Sequence, residues 1–181
     1  VNGDPAENKH FTIFTTPQRE NARLAFRHLE ELIDIQFIES PDSEPNVFGG
    51  RGGILRLGNY GADNNTSVVA YSSLTAFSDP AGDMWFNRLF LGNSGPNFEF
   101  EQGSAGYRIF LSTLGEAVGL VGPGNLPPET RNTDFTVTGF GSNTGEPTTY
   151  QLYDIDQLQE VYGANTETRT GKDGYSIWNF W

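Results

Sequence analysis

The stretch that most constrains this chain is Gly106–Gly124, G-Y-R-I-F-L-S-T-L-G-E-A-V-G-L-V-G-P-G. Tyr107, Phe110, Leu111, Leu114 and Val118 recur at helical spacing and make one apolar stripe. A helix with one such stripe must lie against a core. Gly119, Gly122, Pro123 and Gly124 then stop the helix and begin a turn.

The rest of the chain supplies that core in short pieces. His10–Thr15 alternates and reads as a strand. Thr16 followed by Pro17 reads as a helix start, and Pro17–Asp34 as an amphipathic helix burying Ala22, Ala25, Phe26, Leu29, Leu32 and Ile33. Ile35–Glu39, Ile54–Asn59, Ser67–Leu74 and Asp83–Leu89 read as further strands, separated by loops rich in Pro, Asp and Gly. The helix at about Gly103–Leu120 follows. Tyr150–Asn165 carries a last helical stripe of Leu152, Ile155, Leu158, Val161 and Tyr162, closed by Gly163. Asp154 and Asp156 read as capping the start of that helix. Strand, helix, four strands, helix and helix is an α+β arrangement.

Composition narrows the function classes. The 181 residues suffice for one domain with a full core. There is no cysteine, so disulfides and Cys-ligated metals are excluded. Eleven basic against 23 acidic residues give a net charge of −12, which speaks against nucleic acid and anionic membranes as partners. No apolar run approaches the roughly 20 residues of a membrane span. Val1 in place of Met points to a processed or shortened start with no signal peptide left. Asp79 and Asp83 flank a turn and offer oxygen ligands for calcium, without the spacing of an EF-hand. Asn64 and Asn65 begin glycosylation sequons.

Several of these segments resemble the serralysin-type metzincin proteases. The turn A-V-G-L-V-G-P-G (Ala117–Gly124), the strand ends L-R-L-G-N-Y (Leu55–Tyr60) and G-D-M-W-F-N (Gly82–Asn87), and the last helix ending V-Y-G-A-N, followed by T-R-T-G (Thr168–Gly171), are similar to that family in the same order. The resemblance covers about Lys9–Gly171. It implies a zincin-like twisted mixed sheet of about five strands with an N-terminal, a central and a C-terminal helix. It implies one domain over 1–171, with 172–181 as an aromatic tail or the start of a following domain.

The family's zinc helix reads H-E-x-x-H-x-x-G-x-x-H. With Gly119 as its glycine, the three ligand positions fall on Ser112, Glu116 and Gly122, and the catalytic glutamate on Thr113. In the family's Met-turn, Thr138 stands where the methionine would be and Phe140 replaces the tyrosine. Ser112 has no histidine that can be placed beside it for a serine triad, and Glu116 reads as a solvent-facing helical glutamate. The resemblance with these replacements implies a catalytically inactive homologue that is not an enzyme. No cofactor is expected: zinc is not, and calcium alone stays open. It also implies that Asp83, Trp85, Phe86 and Asn87 form the edge strand lining the former substrate cleft.

Three functions follow: a structural or assembly subunit, a monomer binding a polypeptide in the cleft, or a hydrolase with a rebuilt site at Ser112 and Glu116. Tyr175, Ile177, Trp178, Phe180 and Trp181 make the tail a candidate connector between copies. The expected partner is a protein or polypeptide, including another copy of the chain. The expected setting is extracellular, at or near a bacterial cell surface.

Overall fold

The computed structural model describes residues 11–39, 55–61, 68–72, 82–141 and 145–167. Helix α1 (Thr16–Glu30) starts one residue earlier than the sequence suggests. Thr15 is its cap: the Gln18 N–H donates to Thr15 Oγ1 at 3.3 Å, and the Thr15 N–H donates back to Gln18 Oε1 at 3.0 Å. Pro17 falls in the first turn, where its missing N–H costs nothing. The helix ends at Glu30 rather than Asp34. Ile33, fully buried, instead pairs with Ala164 in a single antiparallel bridge.

Strands β1 (Leu57–Tyr60), β2 (Ala70–Ser72) and β3 (Met84–Asn87) form one sheet in the order β1-β3-β2. β1 runs parallel to β3 and β2 antiparallel to it. About five strands were expected, and three form among the described residues. Phe11–Thr15 is extended but joins the sheet only through a Thr12–Asn59 bridge. Ile35–Glu39 makes no strand: the Phe37 N–H turns to the Glu30 carboxylate at 2.6 Å, and its ring packs on Phe26 at 4.9 Å.

The residues expected at the sheet edge, Asp83, Trp85, Phe86 and Asn87, lie instead on or beside the central strand β3. All four residues of that strand are buried, as both faces of a central strand must be. Among the described residues β1 and β2 are the two end strands, and β1 is met on its outer side by the Thr12–Asn59 bridge. Leu89 does not extend the strand. It belongs to the one-turn helix α2 (Arg88–Leu91), capped by Asn87.

Met84 and Phe86 face the main core, whereas Trp85 faces the other side of the sheet with Tyr60 and Tyr71. Helix α3 (Ala105–Ala117), capped by Ser104, crosses the core face and packs against β2, β3 and α1. Its expected stripe is the buried one: Tyr107, Phe110, Leu111 and Leu114 are fully shut from solvent. Phe110 stacks on Phe86 at 5.4 Å, and Phe100 and Phe14 complete the cluster. Phe100 adopts a left-handed backbone (φ 55°), a strain of about 1 kcal/mol that burial of the ring, worth about 2 kcal/mol, outweighs.

Helix α4 (Leu152–Tyr162) closes the fold. Two tyrosines that bracket it reach α3 and its end: the Tyr150 hydroxyl donates to the Leu111 carbonyl at 3.0 Å, and the Tyr162 hydroxyl to the Val118 carbonyl at 2.6 Å.

α3 lies against the preceding loop because its second residue is glycine. A Cβ on Gly106 would stand 1.8 Å from the Asn97 carbonyl oxygen, a backbone atom with little room to move. Gly106→Ala is predicted to cost about 2–4 kcal/mol through displacement of the loop or the helix start. Urea denaturation checks this, and an unchanged midpoint would refute the tight contact.

Candidate functional site

Ser112, Thr113 and Glu116 occupy successive turns of α3, on the element that carries most of the core. Thr113 is buried, and its hydroxyl donates to the Ile109 carbonyl at 2.8 Å. That bond commits the proton to the helix backbone. Glu116 does not face open solvent as the sequence suggests. It is half-buried, and burial pushes its carboxyl above the usual carboxylate range, while the Ser112 hydroxyl one turn earlier pulls it partly back. Gly122 is exposed at the start of a short 3-10 turn, Pro123–Asn125.

Thr138 joins a different group of residues. Its Oγ1 lies 2.8 Å from Thr136 Oγ1, and the Thr136 hydroxyl stands 2.6 Å from Asp154 Oδ1. Asp154 Oδ2 accepts the N–H of Val137 at 2.8 Å and the N–H of Gln151 at 2.9 Å. Asp154 thus caps α4 as the sequence indicates, and it also ties the Thr136–Thr138 turn to that helix. The sequence carried no sign of the second role, because the partners stand 17 and 18 residues upstream. Asp156 is exposed on the same helix.

Phe140 is 85% exposed, on a turn pinned by its N–H to the Arg131 carbonyl. The structure therefore brings Ser112 and Glu116 together, gives Thr138 to the Asp154 network and leaves Phe140 in solvent.

The remaining candidates divide by position. Asp83 is mostly buried and pairs with Arg56 at 3.3 Å. Trp85 Nε1 is shut from solvent and has no hydrogen-bond partner among the described residues. His28 lies 3.3 Å from the Tyr107 hydroxyl, whose own pKa is pushed up to about 12 by burial. His10, Asn64, Asn65, Asp79 and the tail Tyr175, Ile177, Trp178, Phe180 and Trp181 lie outside the described residues.

A zinc centre needs about four donors, drawn from imidazole, thiolate and carboxylate. Of the three aligned ligand positions only Glu116 is such a donor, and no group of three or more His, Cys, Asp or Glu is gathered among the described residues. These residues do not fit a zinc ion. No helix among the described residues is long and apolar enough to cross a membrane.

No family model matches the chain. It is similar to a serralysin of Proteus mirabilis, 29% identical over 94% of this chain and 39% of that protein. It is also similar to serralysin G of Dickeya chrysanthemi, 25% identical over 96% of this chain, and to the metalloprotease AprA of Pseudomonas entomophila, 25% identical over 92%. The chain spans about two fifths of the length of these relatives.

Their names correct two expectations. The relatives are enzymes, so the similarity points to a protease family and overturns the expectation of a non-enzyme. One is named a metalloprotease, which overturns the expectation that no metal cofactor belongs here.

The Asp154 network carries two predictions. Asp154→Ala strands two buried N–H groups and a hydroxyl, and is predicted to cost about 2–4 kcal/mol in denaturant unfolding. Burial, the largest influence, raises the folded carboxyl above its ordinary 3.8, against the opposing pull of the Thr136, Gln151 and Val137 donors. The folded chain then binds that proton more tightly than the unfolded chain. The group's contribution to stability is fullest below pH 3.8 and declines as the pH rises towards and through the folded value. Wild type should therefore lose stability relative to Asp154→Asn as the pH climbs above 3.8, and parallel pH profiles would contradict this.

Proposed function

We propose that this chain is a serralysin-like domain that takes an extended polypeptide along the edge of β2, beside α3. The observation that carries the reading is the position of β2: among the described residues it has β3 on one side and no strand on the other. The Asn87 N–H donates to the Val69 carbonyl at 2.9 Å, so Val69 and Tyr71 spend their backbone groups on β3. Ala70 and Ser72 then turn theirs outward, where an added strand pairs with them. The similarity to proteases supports a polypeptide as the ligand, because a protease must hold its substrate extended. The absence of cysteine and the net charge of −12 suit an extracellular setting.

A second reading, hydrolysis of the bound chain, is favoured by Glu116. A half-buried carboxyl that burial holds above its usual range, with a hydroxyl beside it, is a group suited to accepting and returning a proton.

Proline at position 70 tests the first reading. It removes an outward N–H while leaving the β3 ladder intact, and edge strands tolerate it. A blocked, fluorescently labelled heptapeptide of alternating Val and Thr should bind saturably to the wild-type chain. Ala70→Pro should weaken it about tenfold or more at unchanged melting temperature. Equal binding by a folded Ala70→Pro chain would refute the edge as the site. Mass spectrometry of the same peptide tests the second reading: cleavage by wild type that is lost in Glu116→Gln supports it, and an intact peptide with wild type counts against it.

A further inference from the structure

Phe11, Trp85, Tyr71 and Tyr60 lie on the face of the sheet turned away from α3. Phe11 covers Gly58 of β1: a Cβ there would stand 2.7 Å from Phe11 Cε2. The Phe11 ring also makes a T-shaped contact with Trp85, with centroids 5.7 Å apart. Gly58 is paired with Trp85, and Trp85 with Tyr71. Residues paired across a ladder share a face of the sheet. Phe11, Trp85 and Tyr71 therefore stand in line across the strands, and the line ends on β2. Tyr60 lies beside it. Its ring is 5.6 Å from that of Tyr71, again T-shaped, and its hydroxyl donates to the Val68 carbonyl at 3.1 Å.

Tyr71 is partly exposed, whereas Trp85 and Tyr60 are almost wholly covered. Its T-shaped contact with Tyr60 takes up at most one face of its ring. The three strands carry no charged residue: β1 is L-G-N-Y, β2 is A-Y-S and β3 is M-W-F-N. The chain as a whole carries −12.

We infer that Tyr71 selects the polypeptide that pairs with β2, favouring an arginine at the position opposite its own. The inference rests on the edge reading above. Tyr71 is paired with Trp85 through β3, so an antiparallel newcomer takes its main-chain bonds from Ala70 and Ser72 on either side. Tyr71 and the residue opposite it then form a non-hydrogen-bonded pair, with Cα atoms about 4.5 Å apart and side chains in contact. That residue is the next member of the aromatic line. A guanidinium is planar, weakly hydrated and attracted to the face of a tyrosine ring. The net charge of −12 adds a general attraction for basic segments. A phenylalanine at the same place packs on the ring but gains nothing from the charge.

Three heptapeptides of alternating Val and Thr, acetylated and amidated, with Arg, Gln or Phe in the middle, provide the test with the full chain. The single variable residue lets each peptide settle into the register that serves it best. At 0.15 M salt the wild type should bind the Arg peptide about threefold to tenfold more tightly than the Gln peptide, and more tightly than the Phe peptide. Tyr71→Leu, which leaves the charge of the chain unchanged, should bring the Arg peptide down to the affinity of the Gln peptide. Tyr71→Phe, which keeps the ring, should retain the preference. Equal binding of the Arg and Gln peptides by wild type overturns the inference and leaves the edge reading standing. Tightest binding of the Phe peptide does the same. A preference for Arg that survives in Tyr71→Leu arises from the overall charge and also overturns it. If Tyr71→Leu does not fold, proton NMR of the wild type decides: cross-relaxation between the peptide Arg side chain and the Tyr71 ring supports the inference, and its absence in a saturated complex refutes it. If no peptide binds at all, the edge reading falls and this inference falls with it.

Discussion

The fold depends on a pair of buried amides. Gln18 and Asn59 are both fully shut from solvent, and each donates to the other, at 3.0 and 2.9 Å. Gln18 also reaches the Phe98 carbonyl at 2.8 Å and closes the cap of α1. Asn59 also reaches the Ile13 carbonyl, at 3.4 Å. Two side chains thereby join the entry segment, α1, β1 and the loop before α3. Such a pair is stable only when complete, because an amide left without its partner in a dry core costs more than the bond itself contributes. It fixes which way α1 enters the core and so where Phe14 and Phe26 point.

Around that joint the structure is held by aromatic packing in place of a long ladder. The sheet strands are four, three and four residues long, too short for main-chain pairing alone to hold the domain. Phe14, Phe86, Phe100 and Phe110 fill the space between sheet and α3, with ring centroids 4.9 to 6.4 Å apart. α3 is anchored by its buried stripe, and Ser112 and Glu116 lie half-buried beside it. Main-chain pairing is scarce within the sheet, and among the described residues β2 has a strand on one side only.

The helices were legible in the sequence and the sheet was not. Tyr107, Phe110, Leu111 and Leu114 announce α3 through their spacing alone, whereas the caps fell on Thr15 and Gln151, one residue before the Thr16 start and three before Asp154. The ends of α1 were overestimated because Leu32 and Ile33 continue the apolar stripe after the helix has stopped. Ile33 is buried against the end of α4 instead. The strands were read too long for a similar reason. An apolar run such as Met84–Phe86 signals burial on both faces but says nothing of neighbours, and its central place appeared only when β1 and β2 were seen on either side of it. Ile35–Glu39 has a strand's composition, yet its Phe37 N–H goes to the Glu30 carboxylate and its Ile35 N–H to the Ile33 carbonyl.

The amino-acid sequence by itself determined the chemical inventory: no thiol, two imidazoles, a strongly negative balance, and a helix α3 that carries Ser112, Thr113 and Glu116. It determined the helix faces, because side-chain spacing along a helix fixes which residues share a side. Tertiary structure decided what those groups are worth. It turned Glu116 from a surface acid into a half-buried one, used the Thr113 proton on the helix backbone, and gave Thr138 to Asp154. Among the described residues it also put β3 at the centre of the sheet and β2 at one end. The physical reason is common to all of these. Burial, hydrogen-bond partners and strand neighbours are relations between residues far apart in the chain, and a local pattern cannot encode them.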